Sequence, residues 1–363
     1  MGVAVGRRRA GDGRGASFRA CEIRGRRHGG LRHSSPATFI PRLPTAPPAH
    51  SFGVVFVVSI VLPVFLVIAL GAVLTRTGFL AAALLAELNR LTYFVGLPAY
   101  LFSSIAGATL GGGRALTVFG VMGGATLLAL GLAFVVAKLR RVPPASFGSF
   151  LHAAIRGNLA YIGLPVISLA LAAHHAGTDA WPVALLAMAP LTVVANVLGV
   201  LLLLVGHGKP GPGMWRTLVW QLATNPLLIA SAAGAACAAS GLELPRWLTQ
   251  SVAVIGQMAL PLALLCIGGT LIVMPLRGKC TTAVLASVLK VAATPLLGWP
   301  LARWIGLSPD ETLIALLFLA TPTAAASFTL AGKLGGDEAL AATSVVVSTA
   351  LSIVSLSVVL ALV

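Results

Sequence analysis

Charge is scarce in this sequence of 363 residues. Charged residues make up 9% of the chain and hydrophobic residues 58%, whereas a soluble domain is typically about 25% charged. Many apolar runs reach about 18 residues, the length of a membrane-spanning helix. The alternating segments of about ten residues that build a membrane β-barrel are missing. The composition excludes a soluble domain and predicts an all-α polytopic membrane protein.

Acidic residues are missing from the interior of the apolar segments. All nine lie in an N-terminal tail, in gaps or at segment ends: Asp12, Glu22, Glu87, Asp179, Glu243, Asp310, Glu311, Asp337 and Glu338. Proton pumps and cation antiporters use carboxylates within the membrane as relays. The pattern therefore argues against cation coupling through a carboxylate and favours an anionic or neutral organic substrate.

Signatures of cofactor, metal and enzyme sites are also missing. The four cysteines (Cys21, Cys237, Cys266 and Cys280) have no metal-binding or redox spacing, and Cys237 and Cys266 lie in apolar runs as small hydrophobic residues. The sequence GGGR at 111–114 lacks the lysine and hydroxyl spacing of a phosphate-binding loop. No Ser-His-Asp arrangement is evident. We therefore predict no cofactor, no metal and no enzymatic activity.

What is abundant is arginine at the N-terminus. Residues 1–50 contain ten arginines, two acids and no lysine, which predicts a disordered basic tail. The tail is either a contact with anionic lipids, an organellar targeting segment, or the product of a start assigned too early. It has no aromatic pattern for base stacking, so nucleic acid is not predicted as a partner.

Ten membrane segments follow, in one membrane domain at 54–363. Their approximate limits are 54–74, 84–105, 115–137, 147–172, 181–205, 219–239, 250–274, 283–305, 311–332 and 339–362. Ten basic residues lie in or beside the odd-numbered gaps and three in or beside the even-numbered gaps. The excess of positive charge predicts that the odd gaps face the cytoplasm and that both termini lie outside.

The prolines indicate an internal repeat, with repeat one at 54–205 and repeat two at 219–362. Pro63 and Pro226 are 163 residues apart, as are Pro98 and Pro261, and Pro165 and Pro322 are 157 apart. A repeat of five membrane segments must be inverted in the membrane, because five is an odd number. Inverted repeats are typical of secondary transporters.

Two segments combine polar residues, glycine and proline at membrane depth: GNLAYIGLPV at 157–166 and ATPT at 320–323. Proline removes a backbone donor, and broken helices in transporters direct their N-terminal ends at anionic groups. The alternative is a kink in which Asn158 bridges helices as a structural contact. The substrate-binding interpretation selects five residues: Asn158, Gly163, Pro165, Thr321 and Pro322.

Other polar residues are weaker candidates. Asn225 precedes Pro226, as a helix N-cap does, and a contact with a ligand is compatible with that role. Arg156 neighbours Asn158 and is a candidate to balance an anion. Lys290 is predicted to extend to the cytoplasmic surface. Gln257 and Ser327 complete the candidate substrate-binding residues.

Several segments together resemble the auxin efflux carrier family. They are LPVFLVIALGAVLTRTGFL…LNRLTYFVGLPAYLFSS (62–104), GNLAYIGLPV (157–166), NPLLIASAAGAACAASGLELP (225–245), IGQMALPLALLCIGGTL (255–271) and ATPTAAASFTLAGKLGGDEALAATSVVVSTALSI (320–353). The resemblance covers residues 54–363. This chain lacks the long hydrophilic loop of the large plant members, since gap five spans only 206–218. The short gap indicates a short, prokaryote-like member.

The resemblance implies ten helices in two inverted five-helix repeats, with helices four and nine broken at prolines and crossing near the midplane. It also implies dimers and an elevator-like motion of the crossing domain against a scaffold. Plant members export the indole-acetate anion, and bacterial members are linked to malate, malonate or similar carboxylates. By motif, the resemblance places Asn158 and Pro165 in the crossing of helix four, Pro322 in that of helix nine, and Asn225 at the opening of helix six.

The sequence thus predicts a secondary carrier for small organic anions, working in the efflux direction by alternating access. The expected partners are the anion, the lipid bilayer and a second copy of the chain, and the expected location is the plasma or inner membrane, with an organellar membrane as the alternative. A ligand-sensing membrane module without turnover is the second functional hypothesis, and a channel is the third.

Overall fold

The computed structural model describes residues 54–108, 113–174, 176–177, 180–205, 216, 219–220, 223–242, 244–274 and 280–363. Over this part of the chain the regular structure is helical, and one backbone bridge joins Gly157 to Thr323. The α-helices are α1 Val54–Arg76, α2 Ala82–Leu91, α3 Leu97–Ala106, α4 Arg114–Leu139, α5 Pro144–Ile155, α6 Leu164–Ala173, α7 Ala180–Val205, α8 Pro226–Ser240, α9 Arg246–Gln257, α10 Ala259–Val273, α11 Cys280–Val288, α12 Thr294–Ile305, α13 Pro309–Ala320, α14 Ala326–Lys333 and α15 Glu338–Leu362. The predicted all-α class is confirmed. The predicted tail at 1–50 lies outside the described residues.

Six helical stretches among the described residues are long and apolar enough to cross a membrane. They are Val55–Arg76, Arg114–Leu139, Ala180–Leu204, Arg246–Val273, Thr281–Ile305 and Glu338–Leu362. Each agrees within a few residues with one of the ten predicted segments, so the multi-pass membrane class is confirmed. The count of ten spans and their inverted relationship stay predictions.

Three π-helical turns explain how prolines fit inside apolar helices. They are Thr92–Gly96, Leu159–Gly163 and Leu289–Ala293, and each is followed by a helix whose second residue is proline. Proline has no N–H to give to the carbonyl four residues earlier, and its ring collides with that carbonyl in an α-helix. In a π-turn the carbonyls bond five residues ahead, so the missing donor is not needed.

The interrupted segments are the feature around which the rest of the fold is arranged. The first interruption separates α5 from the π-turn Leu159–Gly163, and the second separates α13 from α14. The second break falls at Pro322, as predicted. The first does not fall at Pro165, and that prediction was wrong: the chain leaves the helix at 156–158, whereas Pro165 lies buried in α6. The preceding π-turn absorbs the proline, so the proline does not break the helix.

The starts of α13 and α15 are set by local polar contacts. Ser308 and Glu311 form a capping box at the start of α13, in which each side chain accepts from the other residue's backbone N–H. Arg114 donates to the Glu311 carboxylate at 2.6 Å, which joins the start of α4 to the start of α13. The Asp337 carboxylate accepts from the Leu340 N–H and caps α15.

The helices pack in two groups. In the first group α1 packs on α10, and α3 packs on α8 and α9. A Cβ atom built on Gly268 would lie 1.8 Å from the Ile68 carbonyl oxygen, so only glycine allows α1 and α10 to approach this closely. In the second group α4, α7, α11, α12 and α15 surround the interrupted segments α5–α6 and α13–α14.

Candidate functional site

The two interruptions meet as a short antiparallel crossing of extended backbone. The Asn158 N–H donates to the Pro322 carbonyl at 2.8 Å, and the Ala324 N–H donates to the Arg156 carbonyl at 3.0 Å. These two bonds enclose the bridge between Gly157 and Thr323. Unwound backbone in an apolar interior must find partners within the protein. Here each interruption supplies partners for the other.

Side chains hold the crossing to its surroundings. The Thr323 hydroxyl donates to the Ala153 carbonyl at 2.8 Å, so the second break is tied to the last turns of α5. The Thr323 N–H donates to the Ser348 hydroxyl at 2.9 Å, which anchors the same residue to α15. Thr323 and Ser348 are both fully buried. The crossing is therefore a fixed element of the second helix group.

Two glycines permit the close approach of the crossing segments. A Cβ atom on Gly157 would lie 2.7 Å from Thr321 Oγ1, and one on Gly163 would lie 2.9 Å from Phe318 Cδ1. The Thr321 hydroxyl donates to the Phe318 carbonyl at 2.6 Å. Gly163 and Thr321, both predicted as substrate-binding, thus make packing and hydrogen-bonding contacts within the crossing. Pro322 contributes its carbonyl to the same crossing.

Asn158 divides its functions between backbone and side chain. Its N–H bonds to Pro322, and its carbonyl accepts from the N–H groups of Ile162 and Gly163. Its side-chain amide makes no hydrogen bond to any residue that the structure describes, although the residue is only 7% exposed. The sequence left open whether Asn158 binds a ligand or bridges helices. The backbone does the bridging, and two donors and an acceptor remain on the amide.

Arg156 lies at the first interruption with neutral partners. Its Nη2 donates to Asn196 Oδ1 at 2.6 Å, and its Nη1 lies 3.3 Å from His152 Nε2. No carboxylate in the described part of the chain pairs with it. Arg156 also lines a cavity of about 210 Å³, named here the arginine cavity. Its lining residues are Arg156, Asn196, Val200, Ala326, Thr329, Leu330 and Lys333.

Lys290 is not at the membrane surface, and that prediction was wrong. The residue is 1% exposed, and its Nζ donates to the Leu319 carbonyl at 2.6 Å, near the end of α13. The Leu319 carbonyl is a favourable partner for an ammonium group, because the last carbonyls of a helix carry partial negative charge and lack partners in their own helix. The Lys290 side chain also packs on Gly157, where an added Cβ would lie 3.3 Å from its Cε.

A second cavity, of about 260 Å³, lies against Lys290 and is named here the lysine cavity. Residues at and around the crossing line one side of it, and residues of α4 and α7 line the other. The residues on the side of the crossing are Ile155, Gly157, Leu159, Lys290, Phe318 and Leu319. Arg156 and Gly157 are neighbours in extended backbone, where successive residues face opposite sides. Arg156 accordingly lines one cavity and Gly157 the other. One sequence signal pointed to Lys290, namely a lysine deep in an apolar segment.

The three remaining candidates, Asn225, Gln257 and Ser327, lie on three different helices. Asn225 is the N-cap of α8, since its Oδ1 accepts from the Leu227 and Leu228 N–H groups at 3.0 and 3.3 Å. Gln257 is exposed at the last position of α9. Ser327 is fully buried in the first turn of α14, and its hydroxyl has no partner among the described residues. Ser327 therefore stays a candidate, whereas Asn225 has a structural role of its own.

Comparisons with known proteins agree with the geometry. A family model described as "Membrane transport protein" matches residues 201–360, which include α8 to α14 and most of α15. A protein of Rhizobium meliloti (strain 1021) named "Putative malonate transporter" is 25% identical over 309 residues, covering 83% of this chain and 94% of the relative. These matches confirm the resemblance drawn from the sequence. In both comparisons the chain is similar to membrane transport proteins, in agreement with its resemblance to the auxin efflux carrier family.

Proposed function

We propose that the protein is a secondary carrier of small organic anions and that the arginine cavity is its substrate site. The observation that carries the proposal is Arg156, a cation held beside the crossing by two neutral side chains. A charged group in a membrane interior is costly unless it is paired. With no carboxylate of the described chain to pair it, the guanidinium is set to bind the carboxylate of a ligand, which it fits with two parallel hydrogen bonds.

The cavity favours a short dicarboxylate over a monocarboxylate. Lys333 also lines it and is exposed, so a second cation lies at its edge. Two cations in a cavity of about 210 Å³ match two carboxylates on a short chain. The relative from Rhizobium meliloti is named for malonate, an anion of this kind. We assign one carboxylate to Arg156 and the second to Lys333.

Asn158 and Ser327 are proposed to complete the site from the crossing. The Ser327 hydroxyl is buried and has no hydrogen-bond partner among the described residues. The Asn158 amide has no described partner either, on a residue that is 7% exposed. A buried polar group without a partner costs about 1–3 kcal/mol. A bound anion would supply acceptors for both. Gly163, Thr321 and Pro322 are assigned to holding the crossing that positions them.

Movement of the second helix group against the first is the proposed transport mechanism. The first group is held together by the glycine contact of α1 and α10, which suits a fixed scaffold. The second group carries the crossing and both cavities. Alternating access of this type moves a fixed site from one side of the membrane to the other.

The breaks also support the proposed inverted repeat. Asn158 and Thr321, which lie at the two breaks, are 163 residues apart, the same separation as Pro63 from Pro226 and Pro98 from Pro261. Pro165 and Pro322 gave a different separation because Pro165 is not at its break. Efflux is proposed because the arginine cavity extends to Lys333, which the distribution of basic residues places on the cytoplasmic side.

Counterflow in proteoliposomes tests the proposal. Vesicles containing the purified protein are loaded with unlabelled malonate and diluted into labelled malonate, malate or indole acetate. A carrier accumulates label transiently and with saturation, and we expect the dicarboxylates to be accumulated best. Saturable binding without accumulation would indicate a sensor, and a current that rises linearly with concentration in planar bilayers would indicate a channel. Either result would contradict the proposal.

A further inference from the structure

The ammonium group of Lys290 is incompletely satisfied by the protein. It has three N–H donors, and the Leu319 carbonyl is its one hydrogen-bond acceptor among the described residues. No carboxylate of the described chain pairs with it, and the residue is 1% exposed. Burial of an ammonium with two unused donors is unfavourable unless a ligand supplies acceptors. Lys290 is one of the residues that line the lysine cavity.

The lysine cavity has the chemistry of a site for a small amphipathic anion. Its described lining is apolar or glycine except at Lys290 and Thr126. The Thr126 hydroxyl is already used, since it donates to the Met122 carbonyl at 2.7 Å. The cavity thus offers one cation and otherwise apolar walls. The arginine cavity, by contrast, has two cations and an amide.

The volume sets the size of the ligand. An apolar cavity of roughly 150 Å³ holds a benzene molecule, and the lysine cavity measures about 260 Å³. A six-membered ring or a branched chain with one carboxylate fits that space. A second carboxylate would have no cation to pair with.

We propose that the lysine cavity is a second anion site, which binds a monocarboxylate with a compact apolar body through the ammonium group of Lys290. The carboxylate accepts hydrogen bonds from the two N–H groups of Lys290 that do not bond to the Leu319 carbonyl. The apolar body contacts α4 and α7. The lysine cavity and the arginine cavity share no lining residue, so the two sites hold separate ligands. This inference does not depend on transport of dicarboxylates, because it concerns binding at a different cavity.

Benzoate is a suitable probe, and benzyl alcohol is a neutral molecule of similar size. Binding of radiolabelled benzoate to the full chain in lipid nanodiscs is measured by scintillation proximity. Benzyl alcohol competes with the labelled benzoate, and its affinity is obtained from that competition. The wild-type protein should bind benzoate about tenfold or more tightly than benzyl alcohol, because hydrogen bonds to charged groups are stronger. Lys290→Met keeps the length of the side chain and removes the charge. It should weaken benzoate binding about tenfold or more.

A second variant fills the cavity and leaves Lys290 in place. Gly123 lines the cavity, and a Cβ atom there meets nothing within 4 Å, so Gly123→Leu adds volume without a backbone collision. Gly131→Leu is the matched control, since Gly131 is on the same helix, is equally open and does not line the cavity. Gly123→Leu should lose benzoate binding, and Gly131→Leu should bind as the wild type does. This pair keeps the test valid if Lys290→Met does not fold.

Three results would overturn the assignment. The first is an unchanged benzoate affinity in Gly123→Leu or in a folded Lys290→Met. The second is loss of benzoate binding in Arg156→Gln. The third is no binding by the wild-type chain at millimolar benzoate. Malonate counterflow by the wild-type chain is read separately. The benzoate experiment therefore tests the second anion site separately from the proposed carrier function.

Discussion

The peptide nitrogen of Asn158 lies 2.8 Å from the carbonyl oxygen of Pro322 and donates a hydrogen bond to it. The two residues are far apart in sequence and belong to different interruptions. This contact, with its companion between Ala324 and Arg156, turns two broken helices into one crossing. The backbone of Asn158 holds the crossing, and its side-chain amide has no described partner. The amide is therefore available to a ligand.

Removing the charge of Arg156 should weaken substrate binding specifically. We expect Arg156→Gln to lower malonate affinity about tenfold or more, because charge-assisted hydrogen bonds to a carboxylate are lost. Arg156→Lys should lose less, since it keeps the charge but not the planar fork. Equilibrium binding of labelled malonate measures the effect. Arg140→Gln, at an exposed arginine that ends α4, is the control and should bind malonate normally.

Adding a methyl group at Gly157 should disrupt the crossing. The new Cβ would lie 2.7 Å from Thr321 Oγ1 and 3.3 Å from Lys290 Cε, so the crossing segments must separate. We expect Gly157→Ala to lower the free energy of unfolding by about 1–3 kcal/mol and to reduce counterflow. Thermal unfolding in detergent measures the first effect.

Gly131→Ala is the matched control for Gly157→Ala. Gly131 lies in the interior of α4 with nothing within 4 Å of an added Cβ. Alanine there should stabilise the helix by up to about 1 kcal/mol, because glycine is a poor helix former. Equal stability of the two variants would mean that the crossing is less tightly packed than the distances indicate.

The N-cap role of Asn225 predicts a change in stability with transport retained. Asn225→Ala removes the acceptor of the Leu227 and Leu228 N–H groups and should cost about 1 kcal/mol of stability. Asn225→Ser should recover most of that loss, since serine also caps helices. Counterflow per folded molecule should stay near the wild-type value. A serine variant that is stable yet inactive would return Asn225 to the substrate site.

The contact between α1 and α10 should tolerate no side chain at Gly268. A Cβ atom there would lie 1.8 Å from the Ile68 carbonyl oxygen, which belongs to the backbone and cannot rotate away. We expect Gly268→Ala to destabilise the protein by about 3 kcal/mol or more. Loss of folded protein on size-exclusion chromatography measures the effect. Gly120→Ala, at an open position of α4, should elute as the wild type does.

The sequence predicted the helical class and the location of the second break because these depend on local composition and on proline. It misplaced the first break, since the π-turn that accommodates Pro165 depends on how the surrounding helices pack. It misjudged Lys290 for a similar reason. The length of a lysine side chain allows both surface and interior positions, and the deciding partner, the Leu319 carbonyl, is distant in sequence.

The pairing of the two interruptions was predicted from the resemblance and from the prolines, but the contacts were not. Arg156 was left open because its partners, His152 and Asn196, lie on α5 and α7, and nothing in the sequence links Asn196 to that site. Asn225 shows the opposite case. An asparagine before a proline specifies a helix cap through local geometry alone, and the structure has that cap.

The side-chain amide of Asn158 gives the most direct test of the central claim, which is that the crossing binds a carboxylate substrate. The measurement is malonate counterflow by Asn158→Ala in proteoliposomes, normalised to folded protein. The crossing is held by the backbone of Asn158, so the variant should keep wild-type thermal stability and lose counterflow. Wild-type counterflow by this variant would contradict the account.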